Sequence, residues 1–169
     1  MDRAVADVMQ VKLLHKMIDY YAGDAKRVQH FLKVYDFAKL IGKSENLPED
    51  VQFLLEITAI VHDIGIKMSE EKYQSSAGTY QEKEGPAIAK PMLVSVGYTE
   101  AVIERVCYLI GHHHTYKDID GLDYQILVEA DFFVNIYEDG ISQQAIQRIE
   151  EKIFKTKTGM HLLETMYRC

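Results

Sequence analysis

Apolar residues recur along this chain every three or four positions, in long stretches separated by short polar breaks, which is the pattern of amphipathic helices. Residues 4–22 carry Val8, Val11, Leu14, Ile18 and Tyr21 at that spacing, and Gly23-Asp24 breaks the run. Residues 25–42 place His30, Val34, Phe37, Ala38 and Ile41 on one side, with Gly42 as the expected C-cap. After a loop at 44–48, Pro48-Glu49-Asp50 opens a helix over 49–63. Its face holds Val51, Leu54, Leu55, Thr58, Val61 and His62, and Gly65 ends it. Segment 68–79 is polar, contains Ser75-Ser76-Ala77-Gly78, and reads as a surface loop placed to act as a lid.

Helical spacing resumes over 80–97, with Ile88, Met92, Leu93 and Val96 inward and Pro86 in the first turns. A further helix over 99–113 carries Val102, Ile103, Val106, Leu109 and Ile110, and a loop follows at 115–121. The strongly apolar helix over 123–138 (Ile126, Leu127, Ala130, Phe133, Val134) presents Asp131 near its middle, and a final helical part covers 142–167. No strand-period alternation, internal repeat, low-complexity tract or linker interrupts this series. The predicted fold is therefore all-α: a single-domain helical bundle over 1–169 with short loops.

Composition narrows the function. The 169 residues, 47% apolar and 27% charged, fit a soluble globular protein long enough to bury a core. A net charge of −7 lacks the basic footprint of a general nucleic-acid binder. A small anionic substrate would have to be drawn in by a metal or a local basic cluster. Cys107 sits inside an apolar helical pattern and reads as a small core residue; with Cys169 it shows no C-x-x-C spacing, and a reducing cytoplasm is expected. The start, MDRAVADVMQ, has no apolar core of a signal peptide, and no apolar stretch approaches the roughly 18 residues of a membrane span.

Candidate chemistry lies in an ordered set: Arg27-x-x-His30, His62-Asp63-Ile64-Gly65, His112-His113-His114 and Ala130-Asp131. His30, His62, Asp63 and Asp131 each lie on or beside an otherwise apolar helix face. A lone carboxylate in a core costs several kcal/mol unless it is paired or bound to metal. Polar groups on three separate helices are best reconciled if they converge on one cation rather than acting separately as caps and hydrogen-bonded core residues. Neighbouring residues on a helix point about 100° apart, so at most two of the three consecutive histidines reach one site easily. The face ending at Leu109 points toward His112 or His113, leaving His114 at the surface or behind a ligand. Asp118-Ile119-Asp120-Gly121 fails the calcium-loop register, because Tyr116 and Leu127 stand where acids are required. There is no H-E-x-x-H, Walker loop or G-x-G-x-x-G, and His15 and His161 read as surface or packing residues.

This order of motifs resembles the HD-domain superfamily of all-helical, metal-dependent phosphohydrolases, over roughly residues 25–135. The resemblance implies that His30, His62, Asp63 and Asp131 bind one divalent metal. His112-His113 look like the adjacent pair of two-metal members, in which Asp63 would bridge the ions. One or two of Fe, Mn, Co, Ni or Zn are then expected. The family's further histidine is replaced here by Gln81, with Glu84, or less favourably Glu82, as the substitute oxygen ligand. Lys67 follows Ile66 rather than Gly65, one place later than the family's lysine. The Gly-Tyr-Pro signature of cyclic-di-GMP phosphodiesterases is absent. The expected activity is hydrolysis of a small phosphate ester, a nucleotide by preference, by attack of metal-bound hydroxide, with Asp63 catalytic and Arg27 and Lys67 clamping the phosphate. The alternatives are a diiron oxygenase of the myo-inositol oxygenase class and a non-catalytic, metal-stabilised regulatory domain. Neither general nucleic-acid binding nor a membrane is expected, and a homodimer is left open.

Overall fold

The computed structural model describes residues 3–167. These form nine helices and no strand: α1 (Arg3–Tyr20), α2 (Ala25–Ser44), α3 (Glu49–Val61), α4 (Ile66–Tyr73), α5 (Gly78–Val96), α6 (Glu100–Ile110), α7 (Leu122–Glu138), α8 (Gln143–Ile153) and α9 (Lys157–Tyr167). The all-α architecture expected from the apolar spacing is the one adopted. Among the described residues no helix is long and apolar enough to cross a membrane.

Helix α3 is the axis of the packing, in contact with α1, α2, α6 and α7, while α2 also lies along α7. Two apolar clusters meet at α3. Leu55 and Ala59 join the cluster built on α7, and Ile57, Ile60 and Val61 join the cluster of α1, α5 and α6. Every residue from Leu55 to His62 is therefore buried, not just one stripe. Helices α8 and α9 cover the far side of α7.

Several local expectations are revised. In α1 the buried row is Gln10, Leu13 and Met17, continued by Tyr21 just past its end, while Val8, Val11 and Ile18 are exposed. The core-facing row contains a polar residue, whose amide donates to the buried Glu56 carboxylate at 2.8 Å, so the most apolar row is not the inward one. Gly42 does not cap α2, which runs on to Ser44; it lies inside the helix where the Gln52 amide leaves no room for a Cβ. Much of the 68–79 segment is α4, not a loop. Its polar composition concealed inward-facing groups: Ser69 Oγ donates to Gly65 O at 2.8 Å and the Tyr73 ring stacks on Tyr80. Helix α5 begins at Gly78, so Pro86 lies two turns in rather than in its first turns.

The final helical part is split at 154–156. The fully buried Glu129 carboxylate accepts the backbone N–H groups of Lys155 (2.7 Å) and Thr156 (2.9 Å) and the Thr156 hydroxyl, which fixes the start of α9. Cys107 is half-buried, with its thiol directed to Pro86 O; Cys169 lies outside the described residues.

The turn between α3 and α4 presses against α5. A Cβ on Gly65 would stand 2.5 Å from Gln81 O and 2.9 Å from Gly85 N, both backbone atoms. The glycine at this place serves close approach, since its backbone is ordinary right-handed (φ −74°). Gly65→Ala must push α5 away and is expected to cost about 2 kcal/mol in urea unfolding. Wild-type stability of that variant would show that the two backbones are not in contact.

Candidate metal centre

The site forms where the buried second half of α3 runs out. After Val61 the chain makes a tight turn, with Ile64 N–H on Val61 O at 3.0 Å and Ile66 N–H on Asp63 O at 3.0 Å. Two tyrosines at the end of α1 pin this turn: Tyr21 OH donates to Asp63 O at 2.6 Å and Tyr20 OH to Ile64 O at 3.2 Å. His62 and Asp63 are thereby held on a rigid corner.

The hydrogen bonds of the imidazoles fix their tautomers. His62 Nδ1 lies 2.8 Å from Ala59 O, and a carbonyl can only accept, so Nδ1 carries a hydrogen and Nε2 is left as the inward nitrogen, with a lone pair whenever the ring is neutral. That Nε2 is buried and has no hydrogen-bond partner, although Asp63 Oδ2 and Asp131 Oδ1 lie 3.3 and 3.5 Å away. His113 repeats the arrangement, with Nδ1 on Ile110 O at 2.8 Å and Nε2 3.3 Å from Asp63 Oδ1. His30, from α2, has Nε2 3.2 Å from both Asp63 Oδ2 and Asp131 Oδ1. Asp131, from α7, is steadied by Asn135 Nδ2 at 3.0 Å.

These residues fit a divalent transition metal. Donors about 2.1 Å from a common ion and at right angles to each other stand about 3.0 Å apart. The separations here, 3.2 to 3.5 Å, are close to that. Lone pairs facing carboxylates at such range need a cation between them. Ligand atoms of His30, His62 and Asp63 all lie within 4.8 Å of one another, and so do those of Asp63, His113 and His114. Asp63 belongs to both groups, turning Oδ2 to the first and Oδ1 to the second. Mixed nitrogen and oxygen donors suit Fe, Mn, Co, Ni or Zn without selecting among them.

The consecutive histidines resolve differently from the sequence reading. The partner of His113 beside Asp63 is His114, not His112. Helix α6 stops at Ile110 and residues 111–114 are turns, so the helical projection that limited the histidines does not apply. His112 points away, with Nδ1 on Tyr108 O at 2.7 Å and its ring stacked on Tyr108. Glu84 is not brought to the centre: Lys72 (2.7 Å) and Tyr73 (2.8 Å) hold its carboxylate. Glu82 accepts His114 N–H at 2.9 Å and the Thr115 hydroxyl, so it shapes the turn rather than facing the ions. Gln81 Oε1 lies 3.0 Å from His114 Nε2.

Arg27 lines the adjoining cleft of about 440 Å³, but its guanidinium is ion-paired with Asp24 and Glu70. Lys67 does not line it; its ammonium lies over the Tyr20 ring. Lys26 lines the same cleft. Sequence reasoning missed Asn135 and Glu138, which follow Asp131 by four and seven residues and so share its helix face. Glu138 Oε2 lies 3.1 Å from His30 Nδ1.

Electrostatics follow from the geometry. Burial opposes the imidazolium at His30, but hydrogen bonds to Asp131 and Asp63 and their charges prevail and lift it to about 11. Burial likewise opposes charge at His62, and Asp63 and Asp131 lift it to about 10. Burial would raise Asp63 and Asp131, yet the surrounding histidines hold both well below the usual carboxylate range. Burial and the neighbouring His113 push His114 down to about 4, keeping it neutral and available as a donor.

A pH dependence follows. His30 and His62 have folded values above the ordinary 6.5, so in metal-free protein their contribution is complete below pH 6.5 and declines as pH rises toward 10. The depressed His114 and the two carboxylates act only below that window. Metal-free protein should therefore lose thermal stability from pH 7 to 9. A divalent ion should flatten the slope, because bound ligands carry no proton there. Parallel slopes with and without metal would contradict the assignment.

The description HD domain belongs to the family whose model matches residues 27–155. No curated protein matches the chain. Among solved structures, a predicted HD superfamily hydrolase from an uncultured Thermotogales bacterium is similar, with TM-score 0.63 and 22% identity over 98% of this chain and 84% of that one. At this identity the likeness shows a shared fold. The matched span contains His30, His62-Asp63 and Asp131 in order, and the chain belongs to the HD domain family.

Proposed function

We propose that the protein is a metal-dependent phosphohydrolase acting in the cytoplasm on a small phosphate ester, with nucleotides the favoured class. The observation that carries this reading is the buried, unpartnered Nε2 of His62, aimed at two carboxylates beside an open cleft. When bound, a divalent ion supplies Lewis-acid polarisation of the phosphoryl oxygen and acidifies water. His30, His62, Asp63 and Asp131 would hold it. Asp63, with one oxygen toward each histidine cluster, would span two ions if both are bound and orient the attacking water. Lys26 and Arg27 line the cleft and would receive the phosphate; Arg27 arrives pre-oriented by its two carboxylate partners. The substrate's remaining parts would meet Ile66, Ser76 and Gln81.

The test is phosphate release from a panel of phosphomonoesters and nucleotides, in Mn²⁺, Co²⁺ or Ni²⁺ after chelator treatment. Metal-dependent turnover is expected, falling about a thousandfold in His62→Ala and Asp63→Ala, as loss of several kcal/mol of transition-state stabilisation requires. Lys26→Ala should raise KM about tenfold without changing metal content. Metal-loaded protein inert across the panel would remove the hydrolase reading. Oxygen consumption by an iron-loaded form would replace it with an oxygenase.

A further inference from the structure

We propose that Glu138 is a positioning residue that sets the tautomer and orientation of His30, so that a carboxylate–imidazole pair joining α7 to α2 governs metal affinity. The inference rests on the metal-centre part of the functional reading and not on its hydrolase part.

Three of the inward imidazoles, His30, His62 and His113, face one requirement and meet it in two ways. Each needs an acceptor for its Nδ1 hydrogen so that Nε2 presents its lone pair. His62 and His113 stand in turns just past the ends of α3 and α6, where a carbonyl three residues back is free to accept: Ala59 O and Ile110 O, both at 2.8 Å. His30 is the sixth residue of α2, inside the helix, where backbone carbonyls are engaged in the helical ladder. It takes its acceptor from another element, Glu138 Oε2 on α7 at 3.1 Å.

The second oxygen of Glu138 accepts from Lys33 Nζ at 2.6 Å, one turn beyond His30 on α2. The carboxylate is thus fixed at both ends by groups on the same helix. On α7 one face carries Asp131, then Asn135 bonded to Asp131, then Glu138 bonded to His30. A single helix face therefore supplies one ligand, the support for that ligand and the support for the ligand opposite. An anionic partner on Nδ1–H also makes Nε2 a stronger donor, and such outer partners typically change metal affinity 10- to 100-fold.

The experiment is Co²⁺ and Zn²⁺ affinity by chelator competition on the full chain, for wild type, Glu138→Ala, Glu138→Gln and His62→Ala, with thermal unfolding of each metal-free form. Glu138→Ala is expected to weaken binding 10- to 100-fold. Glu138→Gln, which keeps an accepting oxygen without the charge, should fall between. In the Zn²⁺ forms, ¹⁵N–¹H correlation spectra should show His30 as the Nδ1–H tautomer in wild type and Glu138→Gln. If Glu138→Ala fails to fold, the Gln variant carries the test. Wild-type affinity in both Glu138 variants, with His62→Ala impaired, would overturn this inference alone. Unimpaired binding by His62→Ala would remove the metal centre as well.

Discussion

The structure depends on two carboxylates placed where carboxylates are least stable. Asp63 and Asp131 are enclosed with the imidazoles of His30, His62, His113 and His114 at the meeting point of α2, α3, α7 and the turn after α6. Effective penalties for burying such ions run to several kcal/mol each, and hydrophobic packing cannot offset them locally. A cation must sit among them, whether protons on the imidazoles or a metal ion. Nδ1 of His62 and His113 is committed to backbone carbonyls, which turns Nε2 inward to take either one.

The rest of the bundle is arranged so that this corner cannot relax. Helix α3 is clasped on every side over its second half, Tyr20 and Tyr21 hold the turn that follows it, and Gly65 lets that turn lie directly on α5. Two further buried acids, Glu56 and Glu129, are by contrast satisfied by the protein's own donors. Glu56 accepts from Gln10 and Gln52, and Glu129 from Gln125 and the start of α9. They act as polar staples between helices. Gln52 Oε1 and Tyr98 OH are also buried without a partner; what marks the site is that the unpartnered His62 nitrogen faces the carboxylates of Asp63 and Asp131.

Much of the site was legible in the sequence because burial of a charge breaks an apolar pattern visibly. Asp131 in Ala-Asp-Phe-Phe and His62-Asp63 after Thr-Ala-Ile-Val announce themselves in this way. What failed were readings that assumed apolar means inward and helix means continuous. Gln10 faces the core while Val8 and Val11 do not, because Glu56 needs a donor. His114 joins Asp63 because the helix ends before the histidines begin, a boundary that periodicity does not resolve. The family resemblance points to Glu84 as the substitute for the missing histidine, but a lysine and a tyrosine from the hidden helix α4 claim it. Asn135 and Glu138 were readable at four- and seven-residue spacing from Asp131, but their role needs His30 to be placed opposite, which is tertiary information.

The most direct test of the central claim is a crystal structure of chelator-free protein with anomalous data collected on both sides of the relevant metal absorption edges. The account predicts an anomalous peak bonded by His30, His62, Asp63 and Asp131 at about 2.1 Å, with any second peak between Asp63, His113 and His114. Protein saturated with divalent metal that shows no peak at this corner, or shows it bound elsewhere, would contradict the account.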